Sequence, residues 1–285
     1  MTADQYAVFF LSTGRCGTQS IANVLKQLCN DHAVVEHEPI EFGYKPNLYF
    51  RCDPDYFTKN KNEQVCNHLE TIKDTLGSRK YIETGWPCYS HIPFFIEALN
   101  DRARIIHLIR HPVNVAASLT THDFYDPANK NGFNIHGALN PYIEGAVLKA
   151  YQTRWEKMGR FEKCLYHWAE INLYGIWLQE TYRNIPFLRI KAEDLFENPG
   201  AMYRQIMKFA GIPWQKDISK ESNRIDSYSR QTRERIDPEL LLQHPEIISV
   251  MNEFSYSGSS ISGESMTRYV KESRIKTLMK KLTGR

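Results

Sequence analysis

The stretch Tyr6-Ala-Val-Phe-Phe-Leu-Ser-Thr-Gly-Arg-Cys-Gly-Thr-Gln-Ser20 decides the fold. Its first half is an uninterrupted apolar run, as expected of a strand buried on both faces. Its second half is short and polar and carries two glycines. Beyond it Ile21, Val24, Leu25 and Leu28 recur at helical spacing. Strand, glycine-containing loop and helix N-terminus are the parts of an anion cradle, because backbone N–H groups converge there and the helix dipole favours negative charge. Gly14 and Gly17 allow close approach of the backbone, Thr18 and Ser20 bring hydroxyl donors, and Arg15 brings a fixed charge. An ordinary strand-to-helix turn capped by Thr18 has the same outline.

Further along, the pattern repeats. Lys80-Tyr-Ile-Glu-Thr84 reads as a second strand, followed after Trp86-Pro87 by a helix near 91 to 100. Arg104-Ile-Ile-His-Leu-Ile-Arg110 is the clearest buried strand, and Pro112 stands where the first residue of a helix tolerates it. A long helical pattern covers about 161 to 183. Phe187-Leu-Arg-Ile-Lys191 is a fourth strand, and the helix after Asn198-Pro199 is stopped by Gly211 and Pro213. Strands alternating with helices predict an α/β fold with a parallel β-sheet flanked by helices on both faces. No repeat or Ser/Gly linker divides the chain, so residues 1–285 read as one domain. Two stretches break the rhythm, 39–62 and 121–145. Long irregular segments in a compact α/β domain are usually lids or binding loops.

Composition narrows the function classes. With 42% hydrophobic and 24% charged residues the chain is an ordinary globular one, neither disordered nor fibrous. No apolar stretch approaches the roughly 18 residues that cross a bilayer, and the N-terminus lacks the basic flank of a signal peptide. Six cysteines without a C-x-x-C pair argue against a disulfide scaffold or zinc site and predict a cytoplasmic protein. The net charge is +3, yet residues 268–285 alone carry +6, which leaves −3 on everything before them. A basic end is not the basic face of a nucleic-acid binder. Ile275, Leu278, Met279 and Leu282 make that end read as an amphipathic helix.

The loop also differs from the nucleotide-triphosphatase pattern, which requires Lys where Thr18 stands. Such enzymes hold magnesium with a carboxylate at a strand end, whereas the strongest strand here ends in Arg110. Two anion holders without a metal carboxylate suit a ligand phosphorylated at two places better than magnesium-ATP.

These residues resemble the sulfotransferases that use 3′-phosphoadenosine 5′-phosphosulfate (PAPS). Arg15-Cys-Gly-Thr18 is similar to the family's loop for the 5′-phosphosulfate, with Gln19 and Ser20 opening the helix. Arg110-His-Pro-Val-Asn-Val-Ala-Ala-Ser118 matches its 3′-phosphate segment in spacing and in its Pro, with His111 where Asn or Asp is commoner. Leu188-Arg-Ile-Lys-Ala-Glu-Asp-Leu195 with Pro199 resembles a third family segment. The resemblance implies a P-loop-like sulfotransferase fold, PAPS as donor, PAP as product, and no metal. It implies nucleotide contacts from Arg15, Cys16, Gly17, Thr18, Gln19, Ser20, Arg110 and Ser118, with Arg15 stabilising the departing phosphate.

The base is read from the segment between the two PAPS motifs. The cytosolic branch has Lys-Thr-His-x-Pro there, but in this chain the His place holds Gly85 and the first place holds Glu83. The heparan-modifying branch uses a strand-end Glu, so Glu83 is the expected general base, with His91, His122 and His136 as the alternatives. Tyr44, Trp86, His122, Asp123, Tyr125 and Tyr142 are the expected acceptor-binding residues. The acceptor is expected to be a small molecule, natural-product-like in preference to a carbohydrate, sulfated on a hydroxyl or amine. A P-loop kinase and a non-catalytic nucleotide sensor are the other classes open to such a loop. No nucleic-acid partner and no stable membrane insertion are expected, and the chain is expected to be a monomer or homodimer. The C-terminal segment with which the cytosolic branch closes over the 3′-phosphate has no counterpart, so Arg230, Arg233, Arg268 and Lys271 are its candidate substitutes.

Overall fold

The computed structural model describes residues 5–100, 102–214 and 236–256, with positions 232, 266 and 269. Arg230, Arg233 and, apart from Tyr269, the basic segment 268–285 lie outside the described residues. Five strands form one sheet: β1 (Ala7–Leu11), β2 (Ala33–Glu36), β3 (Lys80–Glu83), β4 (Ala103–Ile109) and β5 (Phe187–Lys191). Their order is β2-β3-β1-β4-β5 and every pairing is parallel. Four of them lie within a residue or so of the bounds read from the sequence. The fifth, β2, is short and only half buried, too brief to declare itself by periodicity.

Among the described residues ten α-helices connect and cover the strands: α1 (Thr18–Cys29), α2 (Tyr56–Lys59), α3 (Glu63–Thr75), α4 (Ile92–Leu99), α5 (Pro112–Thr120), α6 (Gly132–Gly137), α7 (Arg160–Thr181), α8 (Ala192–Glu197), α9 (Pro199–Phe209) and α10 (Pro245–Glu253). Crossovers between parallel strands are right-handed, so the direction of each step fixes the face of its helix. The step from β1 to β2 runs opposite to the three later steps. Accordingly α1 and α9 share one face, where Cys29 Sγ meets Met207 Sδ at 3.8 Å. On the other face the Phe95 ring of α4 stacks 4.9 Å from Phe9 of β1, and Asn172 of α7 accepts from His107 of β4 at 3.0 Å.

All five residues of β1 are buried, as a central strand between two helical layers requires. Burying side chains such as Phe9, Phe10 and Leu11 contributes about 1.5–3 kcal/mol each. Among the described residues no helix is long and apolar enough to cross a membrane.

The reversal of direction between β1 and β4 leaves a crevice at their C-terminal ends. In open α/β sheets this is where ligands bind. The closeness of α7 to β4 beneath it rests on Gly175, where an added Cβ would lie 2.6 Å from the buried His107 ring. Gly175→Ala is expected to destabilise the fold by about 1–3 kcal/mol through overpacking. Urea denaturation checks this, and an unchanged midpoint would show that the helix can back away from the strand.

Candidate active site

At the crevice the loop after β1 turns through three left-handed residues, Gly14 (φ 73°), Arg15 (φ 58°) and Gly17 (φ 88°), before Thr18 opens α1. Arg15 is the costly one, since a side chain in this region is strained. What holds it is on the far side of the crevice. Its Nε donates to Ser118 Oγ of α5 at 3.0 Å, and Arg110 Nη1 donates to its carbonyl at 2.8 Å. The two segments that the sequence placed 95 residues apart therefore clasp each other directly.

Arg110 is itself braced, with its carbonyl accepting from Trp168 Nε1 at 2.8 Å and its guanidinium 5.6 Å from the Phe196 ring. His111 Nδ1 accepts from Val113 N at 3.3 Å, so the residue that departs from the family pattern still caps its helix. Glu193, the first residue after β5 to carry charge, takes His111 N at 2.9 Å and the Tyr256 hydroxyl at 2.7 Å.

The remaining loop residues divide. Cys16 is buried and points inward, donating to the Gly14 carbonyl at 3.3 Å; burial pushes its thiol up to about 11, so it is neutral at ordinary pH. Thr18 is buried at the helix start and Ser20 half-buried beside it. Gln19 is exposed and its amide turns along the helix to Asn23 at 3.3 Å. A glycine-flanked helix start facing two arginines and a serine is a donor set suited to two anionic groups on one ligand.

The expected acceptor residues are more scattered. Tyr44 is fully buried and donates to Glu83. Trp86 is buried beneath α6, with its ring 6.1 Å from Tyr89 and 6.0 Å from His167. An added Cβ at Gly137 would lie 2.4 Å from the Trp86 ring, and one at Gly132 would lie 2.7 Å from the Phe42 ring. The turn after α5 carries His122, whose Nδ1 lies 2.9 Å from the Ser118 carbonyl, and Asp123, ion-paired with Arg160 at 3.2 Å. Tyr125 is inside the 121–145 segment, its hydroxyl bonded to the Leu139 carbonyl. Tyr142 is 57% exposed, with its hydroxyl on the Gln152 carbonyl.

The sheet edge beside the crevice carries two carboxylates of opposite character. Glu83, at the end of β3, has no exposed surface. Its Oε1 accepts from the Tyr44 hydroxyl at 2.6 Å, and its Oε2 lies 3.0 Å from His68 Nε2 and 3.2 Å from the Tyr81 hydroxyl. Glu38, two residues past the end of β2, keeps 27% of its side chain exposed. Its backbone is left-handed (φ 50°), and it fills the volume over Gly85, where an added Cβ would lie 2.6 Å from Glu38 Cγ and 2.8 Å from Glu38 N. Burial raises its proton affinity, the nearby charges of Glu41 and Glu83 add to this, and a backbone hydrogen bond at Trp86 and the charge of Arg15 oppose it.

His37, 3.7 Å from Glu38, is pushed down to about 4 by burial and then by Lys26, so it is neutral near pH 7 and offers Glu38 no cation. Sequence reading named Glu83 at the end of β3 and did not single out Glu38, which lies beside it. The available signal was Gly85 itself: a missing side chain in a wall requires another residue to fill the wall.

A parallel sheet with a phosphate-type loop at its direction switch defines an α/β nucleotide-binding enzyme. The sulfotransferase domain family matches residues 5–235, and the chain belongs to that family, as a PAPS-dependent enzyme. Among solved structures, the sulfotransferase domain from the curacin biosynthetic pathway is 16% identical, with a TM-score of 0.47, covering 89% of this chain and 98% of that one. The sulfotransferase domain of the Synechococcus PCC 7002 olefin synthase is 18% identical, with a TM-score of 0.49 over 89% and 96% of the two chains. A mouse sulfotransferase complexed with PAP is 14% identical, with a TM-score of 0.41 over 93% and 90%. A search of curated proteins found no match.

Removing a charged hydrogen-bond partner of an anion costs about 1.5–3 kcal/mol, on the order of 10- to 100-fold in Kd. Arg110→Ala is expected to weaken adenosine 3′,5′-bisphosphate by that factor in calorimetry, and affinity equal to wild type would remove Arg110 from the phosphate site.

Proposed function

We propose that this chain transfers the sulfuryl group of PAPS to a hydroxyl or amine of a small-molecule acceptor. The loop 12–18 and the N-terminus of α1 receive the 5′-phosphosulfate, and Arg110 with Ser118 receives the 3′-phosphate. Arg15 lies between them and supplies positive charge where the bridging oxygen departs. A guanidinium keeps its proton, so its part is electrostatic.

In the transfer the acceptor oxygen or nitrogen forms a bond to sulfur as the bond from sulfur to the bridging phosphate oxygen breaks. The acceptor's proton passes to a base, and PAP leaves with the electron pair of the broken bond. An in-line displacement needs that base on the side opposite the leaving group.

Glu38 is the base we assign, and the observation that carries the assignment is its packing on Gly85. The place where a cytosolic relative would present a His side chain is occupied by the Glu38 carboxylate stem. Glu83, the residue expected from the sequence, has the right position along the sheet edge, but each of its oxygens is already engaged and none of its surface is open. Raised proton affinity suits a base that must accept a proton near neutral pH. A small acceptor is supported by the cover over this edge, since α6 lies against Phe42 and Trp86 closely enough that its glycines admit no side chain.

Calorimetric titration with adenosine 3′,5′-bisphosphate beside ADP and magnesium-ATP tests the donor half of this reading. Tight, metal-independent binding of the bisphosphate alone is expected, and preference for magnesium-ATP would transfer the reading to a kinase. For the acceptor half, Glu38→Gln is expected to lower kcat by roughly 100-fold, as removal of a general base does, with bisphosphate affinity unchanged. Gly85→Ala, which displaces Glu38, is expected to act in the same direction. Turnover equal to wild type in Glu38→Gln would return the role to Glu83.

A further inference from the structure

Glu83 is a buried charge that the proposed transfer step does not touch. Its surroundings come from three separate elements: Tyr44 from the turn Glu41–Tyr44, His68 from α3, and Tyr81 from its own strand. Cys88, after β3, also reaches it. Tyr81 donates in addition to Glu36 at 2.7 Å, and Glu36 is the register partner of Glu83 across β2 and β3. The single Tyr81 proton favours the shorter contact to Glu36, so Tyr44 and His68 are the partners that engage the two Glu83 oxygens.

We infer that Glu83 is a positioning residue, a like charge fixed behind Glu38 that acts on the acceptor's proton only through Glu38. This rests on the reading of Glu38 as the base. Direct action by Glu83 would break its hydrogen bond with Tyr44 or His68. Action through Glu38 breaks none.

The two carboxylates stand at the ends of adjacent strands, and the chain turns from Glu83 to Glu38's contact at Gly85 within two residues. Like charges separated by protein and not by water interact strongly, and the charge of Glu83 disfavours ionisation of Glu38. The groups that face Glu38 are Arg15 from the phosphate loop, Glu41 from the following turn, Glu83 from β3, its neighbour His37, and Lys26 of α1 behind His37. The backbone hydrogen bond at Trp86 pulls most toward the anion and Arg15 adds less, a cation that in the transfer faces the nucleotide. Without Glu83 the balance at Glu38 tilts toward a weaker base.

The test compares pH profiles of kcat/KM. Gln keeps the shape of the cage: its carbonyl can accept from Tyr44, and its amide can donate to the Tyr81 oxygen and, with the imidazole proton on Nδ1, to His68 Nε2. Glu38 must be ionised to act, so the acid limb of the profile follows its titration and activity falls as pH drops through it. In Glu83→Gln that limb is expected at lower pH than in wild type, with kcat lower by several-fold and KM for PAPS unchanged. Tyr44→Phe keeps the charge and is expected to leave the limb in place.

A limb at the wild-type pH in Glu83→Gln overturns the inference and leaves the Glu38 assignment standing. Loss of the limb in Glu83→Gln, with Glu38→Gln fully active, overturns both and makes Glu83 the base. Should Glu83→Gln not fold, carboxyl 13C titration of the wild type decides. The Glu83 resonance is expected to shift at the Glu38 midpoint, and a Glu83 resonance silent through that midpoint overturns the inference.

Discussion

The hydrogen bond from Arg15 Nε to Ser118 Oγ spans the crevice between β1 and β4, and the chemistry of the molecule depends on what it closes. Parallel strands deliver their loops to one edge, but delivery alone leaves two anion-binding segments on independent helices. The clasp makes them one site. It also accounts for a residue in a strained conformation, because Arg15 at φ 58° is held from both ends, by Ser118 at its side chain and by Arg110 at its carbonyl. Strain at such a position is maintained only when the surroundings over-determine it. Here the determinants are the groups a phosphorylated ligand would otherwise have to assemble at its own entropic cost.

The strands, loop and helix starts that meet at the crevice were legible in the sequence because their signals are local. A buried strand, a loop with two glycines and a helix start are contiguous in Tyr6–Ser20, and Arg110 to Ser118 is one strand end followed by one helix. The acceptor side was not legible, because its geometry is made by contacts distant in sequence. Tyr44 looks like a loop aromatic until Glu83 is found beneath it. Glu38 follows a four-residue strand with only two buried positions, Ala33 and Val35. Neither residue type nor period marks it, and only its packing against Gly85 does.

The same distinction holds for the two irregular segments. They contain little regular structure, yet a buried ion pair fastens them. Arg51 of the first segment lies 3.4 Å from Glu170 of α7 and donates to the Gly145 carbonyl of the second at 2.9 Å. Glu170 in turn accepts from Val147 N at 2.9 Å and Leu148 N at 2.7 Å. Removing one partner of such a pair is far more damaging than the pair is stabilising, so its effect is to specify one arrangement of the loops. Two segments that read as polar and irregular are thus fastened to each other and to α7.

The choice of arginine in the phosphate loop bears on the whole pH behaviour of the site. A lysine there could exchange a proton with the departing phosphate, whereas a guanidinium stays charged across the working range. His37 is neutral, and Cys16 is a buried thiol. The phosphate-type loop therefore presents constant charge, and the group whose proton affinity is raised is Glu38, past the end of β2 and beside neutral His37. A base in that position must be raised toward neutrality without being neutralised by a neighbouring cation. Burial does most of this for Glu38, and the absence of a protonated His37 preserves it. Fixed positive charge under the leaving group and an adjustable negative charge under the incoming group are opposite requirements. In the transfer we propose, the first comes from the segments after β1 and β4 and the second from the segment after β2.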